Sequence, residues 1–204
     1  MMGRHTLRLH GYPVSNYFNI VRAALVEKAL PHEVILARAE QTDIFLAKNP
    51  MGKIPILEGR DGWIAETVAI LEYLDDISPE VTLRPATPGA RARGRQIINL
   101  VQLYVEVPAR TLFPGVFGSG ANTASLVAAA RATLDRSTMA LRRLARPEPF
   151  LSGRQLSSAD LFAFYNLDIV DRLSRFVWDR SIIEETRLSE WHRAMAARPS
   201  SQAV

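Results

Sequence analysis

A proline-containing segment at residues 49–57, Asn-Pro-Met-Gly-Lys-Ile-Pro-Ile-Leu, constrains the fold of this chain more than any other feature. Because proline has no N–H to donate to a sheet, Pro55 belongs at the first residue of a strand or on a sheet edge. A tight turn that enters a strand is also a place where a cis X–Pro bond occurs. The segment therefore predicts a strand over 54–57 that is entered through a turn.

The pair Glu66-Thr67 follows nine residues after Leu57 and opens a predicted helix that runs to about Ile77. The free N–H groups of a helix start bind carboxylates well. Outward-facing main-chain groups of Ile54 could pair with an extended peptide, as the edge of a sheet does. Together, these two features favour a small acidic peptide as the ligand.

The composition is that of an ordinary globular protein, with 204 residues of which 48% are hydrophobic and 23% charged. No apolar run reaches the roughly eighteen residues of a membrane span. The opening Met-Met-Gly-Arg-His-Thr-Leu has no signal-peptide core, so we expect a cytoplasmic location and no membrane partner. The absence of cysteine excludes disulfides and thiolate ligands, and the four histidines show no metal-ligand spacing, so no metal is expected.

The net charge of +4 raises the question of nucleic acid, but the basic residues are spread along the chain. Their densest run, residues 91–95, spans only one turn of a predicted helix. Nucleic-acid-binding proteins concentrate such charge in a patch or stripe, so a solvated helix surface is the better interpretation. We therefore expect no nucleic-acid partner, and the mildly basic balance suits an anionic small ligand.

Hydrophobic periodicity separates the chain into two halves. The first half alternates strands and helices, which predicts a thioredoxin-like α/β domain with a mixed four-stranded sheet: strands at 6–10, 32–36, 54–57 and from Trp63, helices at 15–29, 40–48 and 67–77, and a hairpin turn at 59–62. Ser15 is placed as the N-cap of the first helix.

The second half contains no strand pattern. Residues 79–88 hold three prolines without a period, and Thr87-Pro88 is a strong helix start. Helices at about 88–116, 123–145, 158–174 and 187–197 predict an all-α bundle. The expected domains are therefore an α/β domain at 1–78, a linker at 79–87 and a helical domain at 88–204.

Two motifs in the first half make the chain recognisable. Asn-Pro-x-Gly-Lys-Ile-Pro-x-Leu, followed by Glu-Thr-x-Ala-Ile-x-x-Tyr-Leu, resembles the glutathione-binding half of the cytosolic glutathione transferases. The resemblance is sharp over residues 6–76, and Thr67 keeps the hydroxyl of the family's usual Glu-Ser pair. Ser15 matches the serine of the serine-type, bacterial-like members. The resemblance implies a homodimer in the cytoplasm that uses glutathione as a co-substrate.

Ser15 is then the implied catalytic residue, because a hydroxyl donor beside a helix start favours the thiolate of glutathione over the thiol. The alternative is that Ser15 merely caps the helix. Tyr12 and Tyr17 compete for the donor role, although packing in the core or the pocket wall suits both better.

The resemblance also implies that five residues bind glutathione. Lys53 would reach the glycine carboxylate, Ile54 and Pro55 would act through the main chain, and Glu66 and Thr67 would hold the γ-glutamyl end. Each also has a structural interpretation: Lys53 is a solvated lysine, Ile54 and Pro55 form a turn, and Glu66 and Thr67 form an ordinary helix start.

The implied reaction is transfer of glutathione to a hydrophobic electrophile, as in detoxification. Residues that could line the acceptor site, each as readily part of a core, are Tyr104, Arg110, Phe113, Phe117 and Phe164. Glutathione-dependent isomerisation or dehalogenation would use the same thiolate. A non-catalytic scaffold that keeps the fold is the alternative from another class. Ser157-Ser158-Ala-Asp160 resembles the family's helix-capping motif and is expected to be structural.

Overall fold

The structure, a computed structural model, describes residues 6–118 and 120–204. Residues 1–5, which include one of the histidines considered above, His5, lie outside the described residues. The chain divides into two compact units. The first contains the residues up to Arg84 together with residues 198–204, and the second contains residues 85–197.

A mixed four-stranded sheet forms the first unit, with the strand order β2-β1-β3-β4. The strands are β1 (Leu7–Gly11), β2 (His32–Leu36), β3 (Ile56–Gly59) and β4 (Gly62–Ala65). β1 pairs in parallel with β2 and antiparallel with β3, which in turn pairs antiparallel with β4. A parallel pair requires a crossover connection, which α1 (Asn16–Glu27) supplies. The predicted thioredoxin-like α/β fold is confirmed.

Two further helices that were predicted from the sequence belong to this unit: α2 (Asp43–Leu46) and α3 (Thr67–Ile77). The bounds of α3 are those expected from the sequence. One turn of 3₁₀ helix follows at Pro79–Val81. The interior is apolar, and its fully buried side chains include Leu9, Phe18, Leu57 and Ile70, which come from both the sheet and the helices. Burial of such side chains supplies most of the driving force for folding.

The bounds of several predicted elements differ from those observed, among them α2, which was predicted over 40–48 and spans Asp43–Leu46. β3 begins at Ile56 rather than Ile54, and it lies between β1 and β4 rather than on an edge. Because Pro55 cannot donate to either neighbour, hydrogen bonding of this central strand starts after it. α1 ends at Glu27, two residues before the predicted Ala29, which has a left-handed backbone (φ 50°) that no helix continues.

A buried ion pair links the ends of α1 and α3. Lys28, which is 3% exposed, donates from Nζ to Asp75 Oδ1 at 2.8 Å and to the carbonyl oxygens of Ser78 and Val81. The same carboxylate oxygen accepts the N–H of Leu83 at 2.8 Å. Ser78, Val81 and Leu83, the last two of which were expected to lie in a linker, are therefore bonded to the first unit.

The last seven residues return to the first unit, whereas the sequence analysis had placed them in the helical domain. The short helix α11 (Pro199–Gln202) packs against α1. Arg198 donates two hydrogen bonds, at 2.7 and 2.8 Å, to the carboxylate of Glu27, and Ser200 donates a third. Burial by itself would raise the pKa of Glu27, but the bonds from Arg198 and Ser200 outweigh burial and hold that pKa below its usual value.

The second unit is helical throughout its described elements, as predicted. Its helices are α4 (Pro88–Leu100), α5 (Val107–Arg110), α6 (Phe113–Phe117), α7 (Ala124–Leu144), α8 (Ser158–Trp178), α9 (Ile182–Thr186) and α10 (Ser189–Ala196). The predicted long helix over 88–116 is interrupted by a π-helical segment at Val101–Glu106. In a continuous α-helix the ring of Pro108 would collide with the carbonyl of Tyr104, and the wider π turns avoid that collision.

The start of α8 confirms the expected capping motif. Asp160 accepts the N–H and the hydroxyl of Ser157 at 3.0 and 2.7 Å, the N–H of Leu151 at 2.7 Å and the indole N–H of Trp191 at 3.1 Å. Burial raises the pKa of Asp160, and these donors oppose that rise. One carboxylate thus joins α8 to the preceding loop and to α10.

Candidate functional site

The strand register brings three of the predicted site segments to one edge of the sheet, where β1 and β4 end and β3 begins. His10 of β1 lies opposite Ile56 of β3, and Ile56 lies opposite Ala65 of β4. The turn that leads to Ser15 leaves the end of β1, Pro55 precedes β3, and Glu66 follows β4. The sheet therefore places Ser15, the Ile54-Pro55 step and the start of α3 beyond the same edge.

Ser15 caps α1 and still has a proton to donate. Its Oγ accepts the N–H of Phe18 at 3.3 Å, and its own N–H donates to the carbonyl of Tyr12 at 2.9 Å, which closes the turn. A hydroxyl can accept and donate at the same time. The capping interpretation of Ser15 is thus compatible with a second bond from its O–H to a ligand, and the side chain is partly exposed.

The loop before β3 is held by a residue that the sequence analysis did not select. Asn49 is 2% exposed, donates to the carbonyl of Lys53 at 2.7 Å and accepts the N–H of Met51 at 3.0 Å. Gly52 has φ 63°, and an added Cβ would lie 2.3 Å from the carbonyl oxygen of Glu40. The signal for both residues was present in Asn-Pro-x-Gly, a sequence rich in turn formers.

This loop leaves the main chain of Ile54 available. The Ile54-Pro55 bond is cis. Among the residues that the structure describes, no hydrogen-bond partner occupies the N–H or the C=O of Ile54. Pro55 is buried and Lys53 is exposed. The arrangement offers one donor and one acceptor to an extended ligand, with a cation beside them.

The start of α3 differs from the starts of the other long helices. Side-chain oxygens of Ser15, Thr87 and Thr123 cap α1, α4 and α7, but no side chain within residues 6–118 and 120–204 caps α3. Glu66 precedes α3 with φ 66°, a conformation rare for a residue with a side chain, and is exposed. Thr67 is 7% exposed. Uncapped N–H groups next to a free carboxylate suit a ligand with both a carboxylate and an ammonium group.

The two tyrosines near Ser15 are partly buried. The guanidinium of Arg38 lies 5.0 Å from the centre of the Tyr12 ring, a cation–π distance. Nothing in the sequence pattern indicated that Arg38 would contact this tyrosine. The contact gives Tyr12 a packing partner on the turn between β1 and α1.

Apart from Tyr12 and Tyr17 in the first unit, the candidates for the acceptor site belong to the second unit. Tyr104 on the π-helical segment is 55% exposed, and Phe117 on α6 is 59% exposed. The Phe113 ring contacts Phe117 edge-on at 5.1 Å and lies 4.8 Å below the guanidinium of Arg110. Phe164, by contrast, is 7% exposed and packs on His192 at 4.9 Å. Phe164 therefore lies in the helical core, and the other four form a more accessible group.

Similarity to known proteins decides the family. The model of the glutathione S-transferase N-terminal domain matches residues 9–82. A glutathione S-transferase from Pseudomonas putida is 36% identical over 84% of this chain and 78% of its own length. The chain belongs to the glutathione S-transferase family. The predicted membership of this family and the predicted transferase class are confirmed, while the serine-type subclass stays a prediction.

Two further relatives of this glutathione S-transferase family member extend over both units. The crystal structure of a glutathione S-transferase from Rhodospirillum rubrum superposes with a TM-score of 0.79 at 28% identity, over 96% of this chain and 90% of that one. The FtsZ-localized protein A of Caulobacter vibrioides is 27% identical over 96% of this chain and 89% of its own length. The likeness therefore covers the helical unit as well as the α/β unit.

Two kinds of feature are missing from the described part of the chain. No helix there is long and apolar enough to cross a membrane. No group of three or more histidine, aspartate and glutamate side chains there could hold a metal ion.

Proposed function

We propose that this chain binds glutathione at the sheet edge of its first unit and activates the thiol for attack on a hydrophobic electrophile. The observation that supports this most directly is the uncapped start of α3 beside the exposed Glu66. The α-carboxylate of the γ-glutamyl group accepts the free N–H groups of α3 and the hydroxyl of Thr67. The carboxylate of Glu66 binds the neighbouring ammonium group.

The rest of the tripeptide extends along the loop before β3. Its main chain pairs with the N–H and C=O of Ile54, next to Pro55, as an added strand would. The glycine carboxylate binds Lys53, whose exposed ammonium group carries the complementary charge. This orientation directs the cysteine sulfur of glutathione toward Ser15.

Ser15 then shifts the thiol equilibrium. Its O–H donates to the sulfur while Oγ keeps the bond from the N–H of Phe18, and the start of α1 adds its positive dipole end. Both effects favour thiolate and lower the thiol pKa. The sulfur lone pair forms a C–S bond with the electrophile, and the leaving group departs with its bonding electrons. Bringing the two reactants together supplies the remaining acceleration.

The test is an ultraviolet titration of the thiolate of bound glutathione in the wild type and in Ser15→Ala. We expect the variant to bind glutathione but to need a higher pH to form thiolate. Ser15→Gly serves as a second variant, because glycine at an N-cap costs only a few tenths of a kcal/mol relative to serine. Titration curves that match the wild type in both variants would remove Ser15 from this role.

The acceptor distinguishes transfer from related chemistry. The exposed Tyr104 and Phe117, with Phe113 and Arg110, favour a hydrophobic or aromatic electrophile. Isomerisation or dehalogenation would use the same thiolate, and product analysis separates them from transfer, since only transfer leaves glutathione in a stable conjugate with the electrophile. A homodimer in the cytoplasm with a detoxifying role completes the proposal, and sedimentation equilibrium tests the dimer.

A non-catalytic role is the second candidate, and the likeness to FtsZ-localized protein A over 96% of the chain favours it. In that case the fold would serve to bind a protein partner. Glutathione binding without turnover of any electrophile would indicate a carrier of the tripeptide. Absence of glutathione binding would indicate a scaffold and would contradict the transferase proposal.

A further inference from the structure

A basic cavity lies in the second unit at a solvent-exposed position, and none of its lining residues belongs to the proposed glutathione site. Its volume is about 520 Å³, within the range of small-molecule sites. The last turns of α7, the loop after it and the end of α9 form its walls. Four arginines line it, together with Met139 and Pro147: Arg142, Arg143, Arg146 and Arg187.

The charge of this cavity is unbalanced. None of its lining residues is an aspartate or a glutamate. None of the four arginines forms an ion pair with any residue in the described ranges 6–118 and 120–204. Elsewhere in the same unit, Arg175 and Arg180 are each bound by two carboxylates. Four guanidinium groups around one space repel one another unless an anion lies between them.

Helix-dipole stabilisation accounts for only part of this cluster. Arg142 and Arg143 lie in the last turn of α7, where cations are favourable. Arg146 lies beyond the end of α7. Arg187 ends α9 with φ 62°, a left-handed position that favours glycine or asparagine. Arg187 therefore brings a fourth guanidinium group to the cavity from a backbone position that favours a smaller residue.

The walls that carry these arginines are well held. Ala145 donates its N–H to Leu141 at 2.7 Å, and the hydroxyl of Thr186 donates to the carbonyls of Ile182 and Ile183 at 2.8 and 2.9 Å. The N–H of Leu188 donates to Ile183 at 3.1 Å, beyond the left-handed residue. Because α7 also packs on α9, the cavity is formed before any ligand arrives.

We propose that this cavity binds a small molecule that carries an oligophosphate group, such as a nucleoside diphosphate. The planar guanidinium group matches phosphate oxygens in pairs, which makes arginine better suited than lysine to such a ligand. Several guanidinium groups in one cavity suit adjacent phosphates better than a single carboxylate. Met139 and Pro147 supply an apolar surface for the remainder of the molecule.

The test is calorimetric titration of the full chain at low ionic strength with ADP, inorganic pyrophosphate and adenosine. We expect saturable binding of ADP below about 1 mM, no binding of adenosine, and weakening as salt is added. Binding of pyrophosphate as well would assign the affinity to the phosphates alone, and binding of ADP only would assign the site to nucleotides. Failure of both ADP and pyrophosphate to bind, or equal binding of adenosine, overturns the proposal.

The variant Arg187→Gly removes one guanidinium group and suits the left-handed backbone, so it should fold at least as well as the wild type. We expect it to bind ADP at least tenfold more weakly, and Arg143→Ala likewise. Arg131→Ala, which removes an exposed charge from α7 away from the cavity, is the matched control and should keep wild-type affinity. Unchanged binding in Arg187→Gly, equal loss in Arg131→Ala, or binding of RNA or anionic vesicles without binding of ADP contradicts the inference.

Discussion

Glu66 combines an exposed carboxylate with a backbone conformation that few residues with a side chain adopt. Its φ of 66° places it outside the common regions, and such residues are strained by about 1–3 kcal/mol. The residue stands where β4 ends and α3 begins, at the sheet edge shared with Ser15. Retention of strain beside an uncapped helix start is typical of a binding site.

Replacing Glu66 separates strain from binding. In Glu66→Gly the strain is relieved, so the free energy of unfolding should stay the same or rise by about 1 kcal/mol. Glutathione affinity should nevertheless fall at least tenfold, or about 1.4 kcal/mol, because the ligand ammonium loses its partner. Urea denaturation and calorimetric titration measure the two quantities. Glu190→Gln, an exposed change on α10, is the control, and wild-type affinity in Glu66→Gly would show that the tripeptide binds elsewhere.

The residue types of the proposed site were accessible from sequence, but their geometry was not. Asn-Pro-x-Gly and Glu-Thr are local patterns, so Lys53, Ile54 and Glu66 could be selected by position. The positive φ of Glu66 and the ring contact between Arg38 and Tyr12 depend on tertiary packing that no local pattern records. The roles of Ser15, Lys53, Ile54, Pro55, Glu66 and Thr67 in binding remain predictions.

Secondary-structure elements were predicted well where the sequence marked both the start of the element and its hydrophobic period. Thr67–Ile77 has the predicted bounds, and Ser15 caps α1 as expected. The predicted helix over 88–116 failed in its middle because the prediction followed the helix-favouring run and gave no weight to Pro108, whose ring is incompatible with a continuous α-helix and accounts for the change of turn at Val101–Glu106. The predicted start of β3 at Ile54 failed because the rule for proline allows Pro55 within the first residues of a strand, whereas the strand began two residues later than predicted, at Ile56.

The ends of α1 and α3 depend on one buried ion pair. Lys28→Met would leave Asp75 without its cation, and breaking such a pair costs about 3–5 kcal/mol. Urea denaturation should show this loss. In the double variant Lys28→Met/Asp75→Leu no unpaired charge is buried, so its loss should be smaller than the sum of the two single variants. A loss in the double variant that equals the sum of the losses in the two single variants would show that the two side chains do not interact.

The start of α8 depends on Asp160, because its carboxylate satisfies four donors that are otherwise buried. Leaving a buried donor without an acceptor costs about 1–3 kcal/mol. Asp160→Ala should therefore lower the free energy of unfolding by at least about 3 kcal/mol, measured by denaturant titration. Asp179→Asn, at the exposed end of the same helix, should change it by less than about 0.5 kcal/mol. Similar losses in the two variants would contradict the capping role.

At the scale of the whole molecule, the return of residues 198–204 to the first unit could not be predicted. The bond between Glu27 and Arg198 joins residues 171 positions apart, and neither residue belongs to a motif. The helical period after residue 187 therefore suggested a continuation of the second domain. Only the folded chain shows that an arginine and a serine from its last residues satisfy a carboxylate at the end of α1.

The contact of Glu27 with Arg198 and Ser200 should make the free energy of unfolding depend on pH. The pKa of Glu27 is lower in the folded chain than its ordinary 4.5, so the unfolded chain takes up the proton first as the pH falls. The stabilisation is complete above pH 4.5 and is lost as the pH falls through the lowered value. Because the pair is partly exposed, Glu27→Gln should be less stable than the wild type by about 1 kcal/mol at pH 7 and by a smaller amount at pH 3. Denaturation at both values tests this, and a difference that does not change with pH would contradict it.

The division of the chain at Arg84 and again at Arg198 makes the helical unit an insertion within the α/β unit. Such an insert is tethered at two points of the covalent chain. A single proteolytic cut between Arg84 and Pro85 would leave the fragments joined through residues 198–204, as long as Arg198 and Ser200 hold Glu27.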